Sequence, residues 1–557
     1  MKKPIVPSST GASVLIDCLD AHEVKYIFGV PGASLMPILD VLHDRGPELI
    51  VCRHEQNAAF MAQAWGRLTG QPGVCLATVG PGATNLVTGV ATATADRDPL
   101  VALTGQTPRA RRFQNQHQNI DAAALFAPVS KWSAEVEHSS AIPEAVAKAF
   151  RTAVLPRPGA THLALPTDIL TAKSENKPVV RWPAKEESPC ITTTELERAL
   201  HLFASAKRPV ALLGVGSAMP AATKAVRSFL TATGIPAVCT FEASGVAGRA
   251  LLGQFLGRVG LAAEEPGDRA LREADLVITI GYDVVEYAPS LWPTFAKIIH
   301  IDQLSSEVDA HYAPAVELVG DIAGSLNALT NGINEKKWKL TALERAAREK
   351  FKKEQAWGMK QKNRTIHPLR LIAELRKALS DHDILVSDVG SHQIWLAREY
   401  FTYEPKTLLF SMGFQTLGVA LPWAMAACLA LPKRRVVSCS GDGSFLFSAM
   451  ELETAVRLKL PIVHLVWRDG TYNLVEIQQQ VAYGRTFGTK FGNPDIVAFA
   501  KSFGAEGLRV TKPDEIAPTL ARAFKTKGPV IIDVPVDYRY NVGLLGQGGL
   551  FGNERAG

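Results

Sequence analysis

The sequence predicts an α/β protein made of three doubly wound domains, each with a parallel sheet. Short apolar runs of strand length alternate with longer segments of helical spacing through most of the 557 residues. This alternation is typical of a parallel sheet with helices on both faces. Glycine-rich or acidic turns follow several of the runs directly. They therefore place polar groups at the carboxyl edge of each predicted sheet, where such folds bind ligands.

Two polar interruptions divide the pattern into three blocks. Lys, Glu and Pro crowd together between about Thr171 and Thr192, and a strongly basic stretch runs from Glu335 to Arg364. We interpret the second stretch as an exposed helical linker. The first and third blocks resemble the same architecture used twice. The predicted limits are 1–180 for the first domain, 190–335 for the central domain, 336–365 for the linker and 366–557 for the third domain.

Composition excludes several classes of protein. Hydrophobic residues make up 47% of the chain and charged residues 20%, which favours large buried cores over disorder. The net charge of +6 is too modest for a dedicated nucleic-acid binder, although it would not repel an anionic substrate. The seven cysteines form no Cys-x-x-Cys pair, so we expect buried thiols in a reducing compartment. The longest apolar run, Gly418 to Pro432, is too short to cross a bilayer, and we expect a cytoplasmic protein without a membrane partner.

In the first block, Glu55 lies where a strand at Leu49 to Cys52 passes into a helix. The next strand, Val74 to Val79, leads into a turn from Gly80 to Asn85. Glu55 is either a helix-terminal acid stabilised by the macrodipole or a ligand-binding group at the sheet edge. The turn is either an anion cradle or a tight connection. The local sequence leaves both alternatives open.

A small basic cluster follows in the same block. Arg109, Arg111 and Arg112 precede the polar segment from Gln116 to Asp121. The simple interpretation is a solvated loop. The alternative is a loop that folds over an active site and contacts a carboxylate substrate.

The central block begins with a strand from Pro209 to Leu213 and the turn Gly214-Val215-Gly216. A Gly-x-Gly turn after a strand suggests a dinucleotide fold, but the full fingerprint is missing. We interpret this block as a structural domain that keeps only the remnant of a nucleotide pocket.

The third block contains the most informative stretch. An apolar strand from Val436 leads to Gly441-Asp442-Gly443, and a second strand, Ile462 to Trp467, delivers Asp469 after a separation of 27 residues. One strand–helix–strand crossover has this length, so both carboxylates are expected at one edge of neighbouring parallel strands. Glycines on either side of Asp442 let the backbone approach a ligand closely. Gly-Asp-Gly alone is also a common turn; the second carboxylate favours Mg²⁺ bound to a diphosphate.

This pairing resembles the thiamin-diphosphate motif, in which Gly-Asp-Gly is followed after roughly 25 to 30 residues by an Asn- or Asp-containing segment. The likeness runs nearly end to end and is greatest to the catabolic, flavin-independent acetolactate synthases of the pyruvate oxidase and acetohydroxyacid synthase family. The residues that carry it are Arg53-His54-Glu55 with Asn57 to Ala62, His117-Gln118, Gly257 to Leu261, Gly281-Tyr282, Val285-Glu286-Tyr287, Met450 to Lys459 and Val475 to Gln479.

The resemblance implies roles for individual residues. Asp442, Asp469 and the carbonyl of Thr471 would bind the metal; many relatives carry Asn where this chain has Asp469. Glu55 would hydrogen-bond N1′ of the aminopyrimidine and share its proton. Gln118 and Gln478 are the candidates for substrate contacts. The other candidate cofactor-binding residues are Pro81, Asn85, Gly390, Ser391, His392, Gln415, Leu417, Gly441, Gly443, Ser444 and Tyr472.

The implied activity uses thiamin diphosphate and Mg²⁺ to decarboxylate pyruvate and to ligate the remaining two-carbon unit to a second pyruvate, giving 2-acetolactate and CO₂. A homodimer with active sites between subunits would be the minimum active unit, and a homotetramer is expected. We predict no stoichiometric FAD. Within the enzymes, the alternatives are a biosynthetic acetohydroxyacid synthase or pyruvate oxidase with FAD, and a 2-oxo-acid decarboxylase. A different class is a non-catalytic or NAD-binding protein that uses a Rossmann-like central domain, which would leave Glu55 and the paired aspartates unexplained.

Overall fold

The computed structural model describes residues 9–179, 191–261, 265–292, 295–333, 337–360, 365–539 and 541. Within these residues the chain forms three six-stranded sheets with parallel pairing and interleaved helices, so the predicted fold class is confirmed. Two compact units are distinguished, 1–186 with 413–433 and 446–462, and 187–412 with 434–445 and 463–557. The predicted domain boundary at 180–190 and the last residues of the predicted linker lie outside the described residues.

The first sheet belongs to the first unit. Its strands are β1 (Tyr26–Gly29), β2 (Glu48–Val51), β3 (Gly73–Ala77), β4 (Leu100–Gln106), β5 (Trp132–Glu135) and β6 (Ala160–Pro166). The helices are α1 (Gly11–Ala21), α2 (Met36–Asp44), α3 (Glu55–Thr69), α4 (Pro81–Ala95), α5 (Ala122–Phe126), α6 (Ile142–Val154) and α7 (Thr167–Thr171). The strand order is β2-β1-β3-β4-β6-β5. Strands β3, β4 and β6 are buried along their whole length, because helices cover both faces of a parallel sheet.

The second sheet belongs to the second unit and follows the same plan. Its strands are β7 (Pro209–Leu213), β8 (Ala237–Cys239), β9 (Phe255–Arg258), β10 (Leu276–Ile280), β11 (Lys297–Asp302) and β12 (Val316–Val319). The helices are α8 (Thr193–Ser205), α9 (Pro220–Thr233), α10 (Pro266–Glu273) and α11 (Ile322–Gly332), and α12 (Ala342–Met359) occupies the predicted linker. The order β12-β11-β10-β7-β8-β9 places the β7 and β10 ends side by side at the point where the connections reverse direction.

The third sheet also belongs to the second unit. Its strands are β13 (Ile384–Ser387), β14 (Leu408–Leu409), β15 (Val436–Gly441), β16 (Ile462–Arg468), β17 (Glu506–Arg509) and β18 (Val530–Pro535), in the order β14-β13-β15-β16-β18-β17. The helices of this part of the chain are α13 (Pro368–Ala378), α14 (Ser391–Glu399), α15 (Ala420–Ala430), α16 (Asp442–Phe445), α17 (Leu452–Arg457), α18 (Asn473–Tyr483), α19 (Ile496–Ser502) and α20 (Ile516–Ala523). Strands β15 and β16 are neighbours, as the 27-residue separation predicts.

Helix α15 packs inside the first unit, against α3. The guanidinium carbon of Arg67 on α3 lies 4.4 Å from the ring centroid of Trp423 on α15. Arg67 also pairs with Asp98 at 2.8 Å, although both side chains are almost completely buried. A buried cation needs such partners, since an unpaired charge in the interior is costly. This contact fixes α15 on the first domain.

Six cysteines among the described residues are buried and free: Cys18, Cys52, Cys75, Cys239, Cys428 and Cys439. Burial raises the pKa of the Cys18, Cys239, Cys428 and Cys439 thiols to about 12, so these four are protonated and unreactive. The expectation of buried thiols is confirmed for this set. In the described part of the chain, no helix has the length and apolarity that a membrane span requires.

Candidate active site

Glu55 is the first residue of α3 and lies at the carboxyl edge of the first sheet. The side chain of His54 caps the helix by accepting a hydrogen bond from the Gln56 amide at 3.1 Å. Glu55 is only 9% exposed, and the Asn85 amide group donates to its Oε2 atom at 2.9 Å. An acid in the first helical turn is also favoured by the macrodipole. The predicted strand-to-helix position of Glu55 is therefore confirmed, with Asn85 as its hydrogen-bond partner.

The predicted turn from Gly80 to Asn85 is shorter than expected, because α4 already begins at Pro81. Asn85 is consequently a helical residue, and the exposed Pro81 occupies the first helical position, which suits its fixed φ angle. Gly80 has a φ of +71°, and a Cβ atom there would lie 2.8 Å from the Cβ atom of Gln118. The loop that carries Gln118 thus packs directly on this turn.

Two candidate residues of the first unit have strained backbones. Gln118 has a φ of +60° and Gln415 a φ of +50°, values that only a few per cent of residues other than glycine adopt. Both side chains are exposed. Strained backbone conformations are enriched at ligand-binding positions, so this observation supports both candidates.

The segment that carries Gln415 and the half-buried Leu417 is docked on the end of α4. The Gly413 amide donates to Asp96 Oδ1 at 2.7 Å, and the hydroxyls of Thr416 and Thr92 lie 2.8 Å apart. These two hydrogen bonds hold both ends of the short loop, which fixes the position of Leu417 within the first unit.

Two of the three clustered arginines are engaged by acids of their own domain. Arg109 Nε lies 2.9 Å from Asp168 Oδ2, and Arg112 forms an ion pair with Glu135. Both acids belong to the first domain. A substrate carboxylate would therefore compete with existing partners for these arginines, which makes Gln118 the stronger candidate in this loop.

Asp442 is a tightly held acid of the second unit. It is 1% exposed and begins α16 directly after β15. Its Oδ2 atom accepts hydrogen bonds from the Gly470 amide at 2.8 Å and from the Asn493 side chain at 2.6 Å. Among the described residues, its Oδ1 atom accepts only from the adjacent Gly443 amide, at 3.0 Å. The carboxylate is thus locked through Oδ2, and Oδ1 retains lone-pair capacity for a cation.

Asp469 follows β16 and lies beside Asp442, because its own amide donates to Asp442 Oδ2 at 3.2 Å. Burial, together with the negative charge of Asp442, raises the pKa of Asp469 to about 7. Burial also raises the pKa of Asp442. A buried and a partly buried carboxylate that repel each other are stabilised by a divalent cation between them. The predicted juxtaposition of the two acids is confirmed.

Thr471 lies two residues beyond Asp469 and is partly buried. Its amide donates to Asp469 Oδ1 at 3.4 Å, and its hydroxyl donates to Glu476 Oε2 at 3.1 Å. In the described part of the chain, no cluster of three or more His, Cys, Asp or Glu side chains suited to a metal is present. Two carboxylates with a backbone carbonyl would form an all-oxygen donor set, which suits Mg²⁺ and not a softer metal.

The loop after β13 lies beside the segments that carry Asp442 and Asp469. Gly390 has a φ of +148°, and a Cβ atom there would lie 3.0 Å from the His392 ring. Burial lowers the pKa of His392 to about 3, so the ring is neutral. Its Nε2 atom is buried without a hydrogen-bond partner among the described residues. The ring also lies beside Gly441, whose Cβ position would be 3.7 Å away. The negative charge of a bound diphosphate would favour protonation of Nε2, which could then donate to a phosphate oxygen, so these residues fit a diphosphate.

Ser391 and Ser444 lie beside this loop and are both buried. Ser391 Oγ donates to Asn473 Oδ1 at 2.7 Å, and Ser444 Oγ donates to the Gly441 carbonyl at 3.2 Å. Gln478 lies partly buried on α18, five residues beyond Asn473 on the same helix. The Ser391–Asn473 hydrogen bond joins the loops after β13 and β16 within the second unit.

Gly443 is required by the packing of Tyr472. A Cβ atom at position 443 would lie 2.7 Å from Cε1 of Tyr472 and 3.1 Å from Cζ of Phe491, and the two rings are 4.8 Å apart. Gly441 and Gly443 do not adopt left-handed φ angles. The conformational freedom of glycine is therefore not what these positions require: at position 443 the absence of a side chain leaves space for an aromatic ring.

We expect Gly443→Ala to lower the free energy of unfolding by about 1–3 kcal/mol, because the added methyl group overpacks the Tyr472 ring. Denaturant titration measures this change. Gly492→Ala is the matched control, since its Cβ position meets no atom within 4 Å, and it should change stability by less than about 0.5 kcal/mol. Equal stability of the two variants would contradict this account of Gly443.

The helical turn α16 begins at Asp442, directly after β15, and α17 follows separately from Leu452. Helix α16 ends at Phe445, which packs on the buried imidazole of His464 at 5.3 Å. Both ring nitrogens of His464 are bonded to hydroxyls of β15, at 2.7 Å for Ser438 and 2.8 Å for Ser440. This buried network links β15 to β16 and so stabilises the end of β15 that leads to Asp442.

Sequence reasoning missed Asn493, Asn473 and Glu451 as contributors to these sites. Asn493 lies 51 residues beyond Asp442. This separation matches no helix, strand or crossover length, so the sequence carried no local signal for the contact. Asn473 lies four residues beyond Asp469, and its polar character was the available signal. Glu451 belongs to a motif recognised only as a resemblance; its buried contacts with the first domain depend on tertiary structure.

The central domain shows why its Gly-x-Gly turn does not complete a nucleotide fingerprint. A Cβ atom on Gly214 would lie 2.4 Å from the Gly281 carbonyl oxygen, and one on Gly216 would lie 2.8 Å from Gly281 Cα. Glycine is therefore needed here for close contact between two backbone turns. The sequence could not distinguish this packing from a close approach to a ligand.

A carboxylate occupies the donor groups around that turn. Glu286 accepts hydrogen bonds from the Val215 amide at 2.9 Å, the Thr240 hydroxyl at 2.8 Å and the Glu242 amide at 3.0 Å. Burial raises the pKa of Glu286 to about 7, and the hydrogen bonds oppose that shift. Backbone amides at this edge of a doubly wound sheet are the groups that hold the phosphates of a dinucleotide. Here they hold a side chain of the same chain.

Comparison with known protein families agrees with this architecture. Residues 9–125 match the N-terminal TPP binding domain of thiamine pyrophosphate enzymes, residues 196–329 match their central domain, and residues 388–534 match their C-terminal TPP binding domain. Each matched segment includes strands of one of the three sheets. The chain belongs to the thiamine pyrophosphate enzymes, and it is an enzyme of carbon–carbon bond chemistry that depends on this cofactor.

Three relatives that the chain resembles along most of its length are named as acetolactate synthases or as a subunit of one. The chain is 47% identical to the acetolactate synthase of Bacillus subtilis (strain 168) over 542 residues, which covers 96% of this chain and 94% of the relative. It is 41% identical to the catabolic acetolactate synthase of Raoultella terrigena, covering 96% of this chain and 97% of the relative. Identity to the large subunit of acetolactate synthase isozyme 2 from Escherichia coli (strain K12) is 32%, covering 96% of each chain.

Proposed function

We propose that this chain is a catabolic, flavin-independent acetolactate synthase that converts two molecules of pyruvate into one of 2-acetolactate and one of CO₂. The observation that carries the proposal is the locked pair Asp442–Asp469 beside the unsatisfied His392 nitrogen. This arrangement fits a metal-bound diphosphate, in a chain 47% identical to an acetolactate synthase. When bound, thiamin diphosphate supplies an electron sink for the loss of CO₂ from a 2-oxo acid.

The residues of the first unit would handle a proton of the cofactor. We propose that Glu55 hydrogen-bonds N1′ of the aminopyrimidine and shares a proton with it. Asn85 keeps the Glu55 carboxylate in place through the 2.9 Å hydrogen bond, and burial excludes competing water. Pro81 and Asn85 would line the pyrimidine, Leu417 and Gln415 would contact the cofactor, and Gln118 would contact the substrate.

The residues of the second unit would hold the charged end of the cofactor. Asp442, Asp469 and the Thr471 carbonyl would bind Mg²⁺. Asn493 orients Asp442 through its 2.6 Å hydrogen bond. The diphosphate would lie among Gly390, Ser391, His392, Gly441, Gly443 and Ser444, next to Tyr472. Gln478 on α18 is the second candidate for a substrate contact.

We further propose that the enzyme works without FAD. Support comes from Glu286, whose carboxylate already occupies the Val215 and Glu242 amides of the central sheet edge. A flavin dinucleotide that used these amides would have to displace a buried side chain. The 41% identity to a relative named as the catabolic enzyme also supports the proposal that FAD is not used.

The active site is proposed to form between two copies of the chain, with Glu55 from one protomer and the diphosphate site from its partner. A homodimer would then be the smallest active assembly, and a homotetramer would contain two such pairs. Each protomer would contribute to two sites.

A product assay tests the proposed function. The purified protein with pyruvate, thiamin diphosphate and Mg²⁺, but no added FAD, is expected to release one CO₂ for every two pyruvates consumed, with 2-acetolactate as the main product. Carbon balance by NMR together with CO₂ release measures this ratio, and the absorption spectrum shows whether flavin is bound.

Two outcomes would contradict the proposal. Acetaldehyde as the main product would indicate a 2-oxo-acid decarboxylase. Bound FAD near one per subunit, with activity that depends on it, would indicate the biosynthetic enzyme or an oxidase.

A further inference from the structure

Glu451 is a buried acid of the first unit that no step above uses. It is 0% exposed. Its Oε1 atom accepts hydrogen bonds from the Arg53 amide at 2.9 Å and the Thr454 hydroxyl at 2.8 Å. Its Oε2 atom accepts from the Asn57 side chain at 2.9 Å. Glu451 comes from the chain segment between β15 and β16, whereas Arg53 and Asn57 belong to the first domain.

The two first-domain partners of Glu451 lie on either side of Glu55. Arg53 precedes Glu55 by two residues in the connection between β2 and α3, and Asn57 follows it by two residues in the first turn of α3. Thr454 adds a hydrogen bond to the Val51 carbonyl at the end of β2, at 3.3 Å. One segment, Glu451 to Thr454, therefore contacts the β2–α3 connection before Glu55 and the first turn of α3 after it.

The chemistry of these contacts requires an acceptor at position 451. An amide and a side-chain NH₂ group both point at its carboxylate, and Asn57 is 0% exposed. Hydrogen bonds to an ionised acceptor are shorter and stronger than neutral ones. Removing the carboxylate would leave buried donors without partners, and the backbone around Glu55 would shift to find them.

We propose that Glu451 is a positioning residue, which fixes the β2–α3 connection and thereby directs the Glu55 carboxylate towards the cofactor pyrimidine. This inference rests on the proposed role of Glu55. A displacement of about 1 Å in a catalytic group can lower turnover about 100-fold. The hydrogen bonds of Glu451 to Arg53 and Asn57, called the clamp below, hold the backbone on both sides of Glu55 and therefore have a measurable effect on catalysis. The third block of the chain would thus set the geometry of an acid in the first.

Glu451→Ala is expected to lower kcat about 30- to 100-fold while the KM for pyruvate changes less than about threefold. Hydrogen-exchange mass spectrometry of the cofactor-free protein should show faster exchange in the peptide that contains Arg53. Near-ultraviolet circular dichroism of the bound cofactor should change, because the balance of its pyrimidine tautomers depends on Glu55. A purely structural role would lower stability without changing that spectrum.

Glu451→Gln is the conservative variant. Its amide oxygen can still accept from the Arg53 amide, and the Asn57 side chain can rotate so that its Oδ1 atom, unsatisfied at present, accepts from the new NH₂ group. We expect kcat within about fivefold of the wild type and slow exchange of the Arg53 peptide. Glu48→Ala is the control, because Glu48 is an exposed acid at the start of β2, and it should match the wild type.

If Glu451→Ala does not fold, Asn57→Ala removes the Oε2 half of the clamp, and kcat should then fall about tenfold. The proposal is overturned if folded Glu451→Ala or Asn57→Ala keeps wild-type kcat and the wild-type cofactor spectrum. It is also overturned if exchange of the Arg53 peptide is unchanged in Glu451→Ala. A Glu55→Gln variant with wild-type turnover would instead refute the proposed role of Glu55, and the exchange data would still show whether the clamp exists.

Discussion

Replacing Glu55 by Gln is expected to reduce kcat about 10²- to 10⁴-fold while thiamin diphosphate still binds, because this is the effect of losing a general acid–base group. Gln has nearly the same size as Glu and can still accept the hydrogen bond from Asn85. It cannot exchange a proton with the pyrimidine nitrogen. Steady-state kinetics and cofactor titration of the purified variant measure the two quantities separately.

Glu48→Gln is the matched control, since Glu48 is an exposed acid at the start of β2 in the same domain. It should keep wild-type kinetics. Turnover of Glu55→Gln within a few-fold of the wild type would contradict the proton-handling role. Loss of cofactor binding in Glu55→Gln would show that the residue acts in binding and not in proton transfer.

Asp442→Ala is expected to lower the affinity for thiamin diphosphate at least about 100-fold, since even the loss of a residue behind a metal ligand costs 10- to 100-fold. The substitution removes a proposed metal ligand. It also leaves the Gly470 amide and the Asn493 side chain without their acceptor. Isothermal titration with the cofactor, with and without Mg²⁺, measures the loss. Removing Mg²⁺ from the wild type by chelation should produce the same weak binding.

Asp514→Ala provides the control, because Asp514 is an exposed acid whose side chain is 83% accessible. Its cofactor affinity should equal that of the wild type. If Asp442→Ala retains tight binding that depends on Mg²⁺, the metal is held elsewhere and the assignment of Asp442 is wrong.

The strands were the part of the fold that the sequence predicted best. Buried runs such as Pro209–Leu213 are apolar throughout, because both faces of a parallel sheet are covered. The positions of Glu55, Asp442 and Asp469 followed from the same reasoning, since polar residues directly after such runs must lie at the carboxyl edge of the sheet. Local patterns are sufficient for these inferences.

The contacts between distant segments could not be predicted in this way. Asn493 meets Asp442 across 51 residues and Glu451 meets Arg53 across 398, and neither distance reflects a repeating period. The role of each glycine could not be predicted either, because it also depends on contacts with distant segments. Gly443 makes room for Tyr472 and Gly214 for Gly281, whereas the sequence shows only that a small residue is present. What each glycine faces is decided by tertiary packing.

A crystal structure of the protein grown with thiamin diphosphate and Mg²⁺ tests the central claim most directly. We predict that the Glu55 carboxylate of one protomer lies about 2.6–3.2 Å from N1′ of the cofactor, the range of a catalytic hydrogen bond. The metal on the diphosphate should be bound by Asp442, Asp469 and the Thr471 carbonyl of its partner. A cofactor bound at another sheet edge, or a Glu55 side chain directed away from the pyrimidine, would contradict the account.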